Sequence, residues 1–338
     1  MSEKMNRREF IPLAGAGAIL APTILSACSV AGPGDPEPIP GTVAYSTDRR
    51  GKWDIIVSDM QSETVLEITK DTPGNHRHPV LGPDGELYFD SDDGVNKYDE
   101  GTTSVINRIS NLRDPQGSME TIIATEERTS IPELVDGKIV HYSKVDKWSP
   151  TANIRSYDSG TITNLAEISG IVSEMKLVPG TQKMFVLTGG LNTLDLESGS
   201  YDRYLFNLSP GSEDYNVAGF ESVAVASNGR AYSAAARPER RFYHIYSWDF
   251  NNPTNVSDEV SMVVPDLSQW YDFRVESVRG EDYLFMSYMP DVSYSKRYTI
   301  SVAPVEDFKG VRMTPRIVPS QPGNNRSPSW IATDISDL

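Results

Sequence analysis

His76, Arg77 and His78 place two imidazoles two residues apart with a guanidinium between them. In an extended strand residues i and i+2 share a face, so both rings could reach one metal ion or one polyanion. A divalent metal held there would need a carboxylate as well, and Glu174 or Glu221 would serve. A second chemistry needs a base, a charge stabiliser and a clamp on an anionic substrate. His76 or His78 with Arg77, Arg274 and Arg326 would fill those roles, with Asn325 alongside. Against both stands the plain alternative that these side chains only satisfy turns and backbone groups in their own loops. His141 and His244 fall inside apolar runs and are expected to pack. "DSDDG", Asp90 to Gly94, has the acids of a calcium loop, but its place in the chain is that of a hairpin turn.

Residues this far apart need a scaffold that gathers them, and the chain supplies one by repetition. "TVAYSTD" from Thr42, "ELYFDSD" from Glu86, "KIVHYSK" from Lys138, "KMFVLTG" from Lys183, "RAYSAAA" from Arg230 and "DYLFMSY" from Asp282 are β-type runs. Their starts are 44, 52, 45, 47 and 52 residues apart. Runs such as "DIIVSDMQSETVLEIT" and "LNTLDLESGSYDRYLFNLS" follow, with Gly, Ser and Asn at the turns. One more strand precedes most of them across a tight turn, as in "HPVLGPDGELYF" and "MKLVPGTQKMFV". Four strands recurring every forty to fifty residues predict an all-β fold, a β-propeller of six four-stranded blades.

"TVAYSTD" alone has no strand before it. "NNRSPSWIATDI", Asn324 to Ile335, has the form of the missing piece, so pairing the last strand with the first is expected to close the ring and bury its edges. In a propeller the innermost strands line a central channel. His76-Arg77-His78, Ser130-Ile131, Ser173-Glu174, Phe220-Glu221, Asp272-Phe273-Arg274 and Asn325-Arg326 lead into those strands and would converge on one mouth. The mouth is expected to be locally positive, with Trp270, Tyr271 and Phe273 near its rim.

"AYSTDRRGKWDIIVSDM" followed by "ITKDTPGNHRHPVLGPDGELYFDSDDG" resembles the WD40-like repeat of the TolB propeller family. Ser46-Thr47-Asp48-Arg49-Arg50-Gly51 and Pro83-Asp84-Gly85 match that repeat's two turns, and Asn325 to Trp330 matches its Asn-x-x-Pro-x-Trp step. The middle units keep only the turn, as at Val135-Asp136-Gly137 and Ser227-Asn228-Gly229. The resemblance implies a six-bladed ring, with binding or catalysis confined to its funnel. Some propellers of this group precede a serine peptidase domain, but no Gly-x-Ser-x-Gly elbow occurs here. Others cleave acidic oligosaccharides.

Ahead of the repeats, the segment Arg7-Arg8-Glu9-Phe10-Ile11 puts paired positive charge before an apolar run that Pro12 and Pro22 interrupt. That run is too short and too broken to span a bilayer. It resembles a twin-arginine export signal carried by Arg7, Arg8 and Phe10. Leu25-Ser26-Ala27-Cys28 is similar to a lipobox, in which the only cysteine of the chain becomes a lipidated N-terminus. Residues 1–27 are thus expected to be a signal peptide and 28–41 a Pro/Gly-rich tether, with the propeller over 42–338. The expected location is outside the cytoplasm, lipid-anchored to a membrane and facing periplasm or cell exterior.

The formal charge is −16, and residues 1–27 carry three basic and two acidic side chains, which leaves −17 on the rest. That sign argues against a nucleic-acid partner. Two functions stay open. One is a non-catalytic envelope module that binds a protein or a glycan and needs no cofactor. The other is a lyase or hydrolase acting on acidic oligosaccharides in the funnel.

Overall fold

Apolar residues at every second position fold into strands in a computed structural model of the chain. It describes residues 39–62, 64–96, 103–145, 149–188, 190–203, 220–236, 243–260, 269–278, 280–289, 297–305, 316–317, 323–331 and 333–335. The expected signal and lipobox, with Cys28, and most of the expected tether lie outside these residues. No helix among them is long and apolar enough to cross a membrane.

The strands form six antiparallel sheets of four. Blade 1 contains β1 (Thr42–Thr47), β2 (Asp54–Asp59) and β3 (Val65–Glu67). Blade 2 is β4 (Asn75–Leu81), β5 (Leu87–Asp92), β6 (Ser104–Ile109) and β7 (Met119–Ile123), with a single helical turn, α1 (Pro115–Ser118), before β7. Blade 3 is β8 (Arg128–Val135), β9 (Lys138–Lys144), β10 (Thr151–Asp158) and β11 (Thr161–Ser169). Blade 4 is β12 (Glu174–Leu177), β13 (Lys183–Leu187), β14 (Leu191–Asp195) and β15 (Tyr201–Arg203). Blade 5 is β16 (Phe220–Val225), β17 (Arg230–Ala236), β18 (Tyr243–Asp249) and β19 (Asn252–Val260). Blade 6 is β20 (Gln269–Val278), β21 (Glu281–Met289), β22 (Thr299–Pro304) and β23 (Arg316–Ile317). The fold is the six-bladed propeller expected from the repeats.

Its closure is as the sequence implies. The last strand, β24 (Asn325–Ile331), becomes the inner strand of blade 1, pairing with β1 from Thr42↔Ile331 to Thr47↔Asn325. Asp334 Oδ1 accepts from Gly41 N at 2.7 Å, and Thr42 Oγ1 donates to Thr333 O at 2.7 Å. Trp330 stacks on Phe285 of blade 6 with ring centres 5.7 Å apart and donates its indole N–H to Pro40 O at 3.1 Å.

The core lies between blades, because each sheet is apolar on both faces. Ala44, Ile55 and Val57 of blade 1 meet Leu81, Leu87 and Phe89 of blade 2. Ile154 of blade 3 meets Met175 and Val186 of blade 4, and Phe185 of blade 4 meets Val223 and Trp248 of blade 5. Phe285 and Val302 of blade 6 pack on Val43, Tyr45 and Trp330. Gly74, just before β4, has φ +91°, and a Cβ there would lie 2.1 Å from Asp92 O. Only glycine lets the chain pass that close as it crosses into blade 2.

Candidate functional site

The six inner strands, β24, β4, β8, β12, β16 and β20, run the same way down the channel. Five of them carry a bulge, and in four of these a non-glycine residue takes the left-handed region: His78 (φ 48°), Ile131 (φ 52°), Asp272 (φ 54°) and Ser327 (φ 53°). In three of the four the next residue is proline, Pro79, Pro132 or Pro328, which has no N–H for the ladder and so favours a break in register there. These four residues all line the upper part of the channel, a cavity of about 30 Å³.

The bulge at His78 overturns the expectation that His76 and His78 share a face. His76 points into the wall and is 1 % exposed. Its Nδ1 lies 2.7 Å from Ser91 Oγ, and its ring meets Phe89 edge-on. Burial, with a smaller contribution from Lys52, pushes its pKa down to about 4, so it is neutral at physiological pH. His78 does line the mouth, with Nδ1 2.7 Å from Asp90 Oδ1. The two imidazoles therefore cannot chelate one metal ion, and no group of three metal-ligating side chains exists among the described residues.

The mouth is not the positive patch expected from the sequence, because each arginine has a carboxylate. Arg77 Nη1 donates to Asp92 Oδ2 at 2.8 Å. Arg326 Nε donates to Asp272 Oδ2 at 2.6 Å, and its guanidinium lies 4.8 Å from the centre of the Tyr298 ring. Burial pushes Asp272 up, but Arg326, the Ser287 hydroxyl and the Ser327 N–H outweigh it and hold the carboxyl well below the usual range.

Arg274 spans the channel. Its Nη1 donates to Glu133 Oε1 of blade 3, on the opposite side of the ring, at 2.9 Å. Its Nε donates to Glu276 Oε1 at 2.7 Å. Burial lowers the Arg274 pKa, and the two carboxylates more than reverse that, leaving it permanently charged. Glu133, Lys176 and Arg274 line both the upper space and a lower one, so this bar divides the channel in two.

Glu174 sits where blades 4, 5 and 6 meet. Its Oε2 accepts from Ser222 Oγ at 2.7 Å and Val223 N at 3.0 Å, and Ser222 Oγ in turn accepts from Phe273 N at 2.6 Å. Oε1 has no hydrogen-bond partner among the described residues, with Lys176 Nζ 3.6 Å away. Burial, with Asp272 adding to it, raises this carboxyl to about 7 against the pull of Lys176.

Two asparagines clamp neighbouring blades. Asn75 Oδ1 accepts from Trp53 N at 3.0 Å and its Nδ2 donates to Asp92 Oδ1 at 2.9 Å. Asn324 does the same with Tyr298 N at 3.3 Å and Asp48 Oδ2 at 2.7 Å. The clamp in the closing strand is thus Asn324, and Asn325, matched to it in the sequence, takes the position of buried His76. Phe273, expected at the rim, is fully buried. The side chains of Glu221, Trp270, Tyr271 and His244 lie outside the described residues. His141 packs as expected, with no exposure, and burial lowers its pKa to about 4.

Glu133, Lys176 and Glu276 match no motif in the sequence, and Asp90, assigned there to a hairpin turn, stands inside β5. The available signal was a charged residue inside an inner strand, as at Glu133 in "RTSIPELV", where an apolar residue would otherwise stand.

No family model and no curated protein sequence matches the chain. Among solved structures it is similar to TolB from Acinetobacter baumannii, at 15% identity and a TM-score of 0.63 over 87% of this chain and 67% of that one. It is also similar to the hydrazine synthase of Kuenenia stuttgartiensis, at 10% identity and a TM-score of 0.63 over 89% of this chain. The match spans about half, 48%, of the hydrazine synthase chain. At such identities the likeness is one of fold, and the chain has the TolB-like six-bladed propeller fold.

Proposed function

We propose that this chain is a non-catalytic binding propeller of the cell envelope, exported with a lipid on Cys28 and engaging a protein partner at the mouth of its channel. The observation that carries the reading is the pairing of the mouth's charges. A saccharide lyase or hydrolase would need a base and arginines turned towards one substrate. Here Arg77, Arg274 and Arg326 are committed to Asp92, Glu133 and Glu276, and Asp272, and His76 is sealed in the wall. Such pre-satisfied charge suits recognition by shape and by hydrogen bonds at a rigid rim. Left-handed residues at four equivalent positions of the inner strands support it, since such conformations are held by their surroundings and cluster at ligand clamps.

The test is incubation of purified residues 28–338 with acidic oligosaccharides, followed for unsaturated or hydrolysed product. Site-specific photo-crosslinking from position 327 in cells is run alongside. One defined envelope protein crosslinked at the mouth, and no product, is the expected result. Turnover that His78→Ala abolishes would overturn the proposal in favour of the enzyme.

A further inference from the structure

Below the Arg274–Glu133 bar lies a second space, a cavity of about 200 Å³. Leu134, Leu177, Val225 and Val275 form its walls, on blades 3, 4, 5 and 6. Its ceiling is charged, made by Lys176, Arg274, Glu133 and Glu276. Leu134, Leu177 and Val275 stand near the finishing ends of their inner strands, and Thr42 pairs with Ile331 at the finishing end of β24. The pocket therefore opens at the end of the ring where the chain arrives at β1, away from the mouth.

The ceiling groups are unequal. Arg274 is held by two carboxylates, with Nη1 on Glu133 at 2.9 Å and Nε on Glu276 at 2.7 Å. Lys176 Nζ has three donors, and its nearest carboxylate oxygen, Glu174 Oε1, is 3.6 Å away, beyond hydrogen-bond length. Arg274 and Lys176 balance Glu133 and Glu276, so an incoming anion meets no excess of negative charge on the ceiling. Glu174, raised to about 7 by burial, is an incomplete counter-charge for Lys176 near neutral pH. Among the described residues Lys176 Nζ has no carboxylate within hydrogen-bond length, and it stands above apolar walls, a pairing that suits an anionic head on an apolar chain.

The geometry points to a ligand site in this lower vestibule for a small aliphatic carboxylate, its head on Lys176 Nζ and its chain along Leu134, Leu177, Val225 and Val275. The site lies on the far side of the Arg274–Glu133 bar from the mouth, and it does not depend on the function proposed for the mouth.

Octanoate is the probe, titrated calorimetrically into purified residues 28–338, with octanol and octylamine as head-group controls. Octanoate is expected to saturate at roughly millimolar concentration or below, the level that about ten non-hydrogen atoms reach at ordinary ligand efficiency. Octanol and octylamine should bind at least about tenfold more weakly, the loss expected when a charge-assisted hydrogen bond is removed. Lys176→Met should show the same loss for octanoate, and Lys176→Arg should restore part of it. Octanol binding as well as octanoate, or no saturable octanoate binding by the unaltered protein, would overturn the site whether or not the variants fold.

Discussion

Replacing Arg274 by methionine keeps the bulk of the side chain and removes the charge that bridges blades 6 and 3. The Arg274 side chain is 19% exposed and that of Glu133 is 5%. At an effective dielectric of about 20, Coulomb's law gives roughly 6 kcal/mol for one unit pair at that separation, before desolvation is subtracted. Desolvation already offsets much of this in the native protein. The variant keeps the desolvation cost of Glu133 and Glu276 and loses their cation. Removing one partner from a buried ion pair costs about 3–5 kcal/mol, and that range is the expectation here.

The deficit should also depend on pH, in a direction that can be worked out. Burial holds Glu276 above the usual carboxylate range even with Arg274 beside it. Without Arg274 it should rise further, so the folded variant would bind protons that the unfolded chain has released. A carboxyl raised on folding contributes stability that is lost as pH rises through its folded pKa. Arg274→Met should therefore be more severely destabilised at pH 8 than at pH 5, as measured by urea melts at both. A loss under about 1 kcal/mol at both values would refute the bar, since a surface pair costs no more than that.

Further expectations follow from other parts of the ring. Deleting Asn324–Leu338 should abolish the single cooperative melt, and Trp330→Ala alone should cost about 3–5 kcal/mol in a denaturant titration. Glu174→Gln should gain stability relative to the parent between pH 4.5 and 7, by up to about 3 kcal/mol, because a carboxyl raised from 4.5 to about 7 costs more with each proton lost across that window. His76 and His141, both lowered to about 4, act on the acid side. Stability they contribute is present above pH 6.5 and is lost as pH falls towards 4, so His141→Phe should flatten the acid limb of a melting curve. Cys28→Ala should abolish metabolic fatty-acid labelling, and unchanged label would sink the lipid anchor.

What could be read in the sequence was what depends on period. All six second strands begin at or within one residue of the runs that mark them, and Asn324 to Ile335 proved to be the missing strand of blade 1. Alternation survives drift because any apolar residue satisfies it, so the middle blades were legible after their motifs had gone. The site was harder to read for two physical reasons. A two-residue spacing implies a shared face only while the strand is regular, and the bulge at His78 ended that. Charge pairing depends on residues far away in the chain: Arg274 meets Glu133 across 141 positions, and Arg326 meets Asp272 across 54. Counting the cations that enter the funnel gave their number without revealing their partners. Pro79, Pro132 and Pro328 were the visible warning, since a proline inside an inner strand must interrupt its ladder.

The strand exchange at the closure also has a mechanical side. β1 is held on both flanks, by β24 on one and β2 on the other, and Thr42 is paired on each side, to Ile331 and to Asp59. A pull on the chain ahead of Gly41 therefore loads β1 along its own axis between two partners. Its ladder bonds lie across that axis, so they must slide and fail together rather than open one after another. The first strand of the ring is in this respect a shear joint, and tension applied at the N-terminal side meets the ring in its stronger direction.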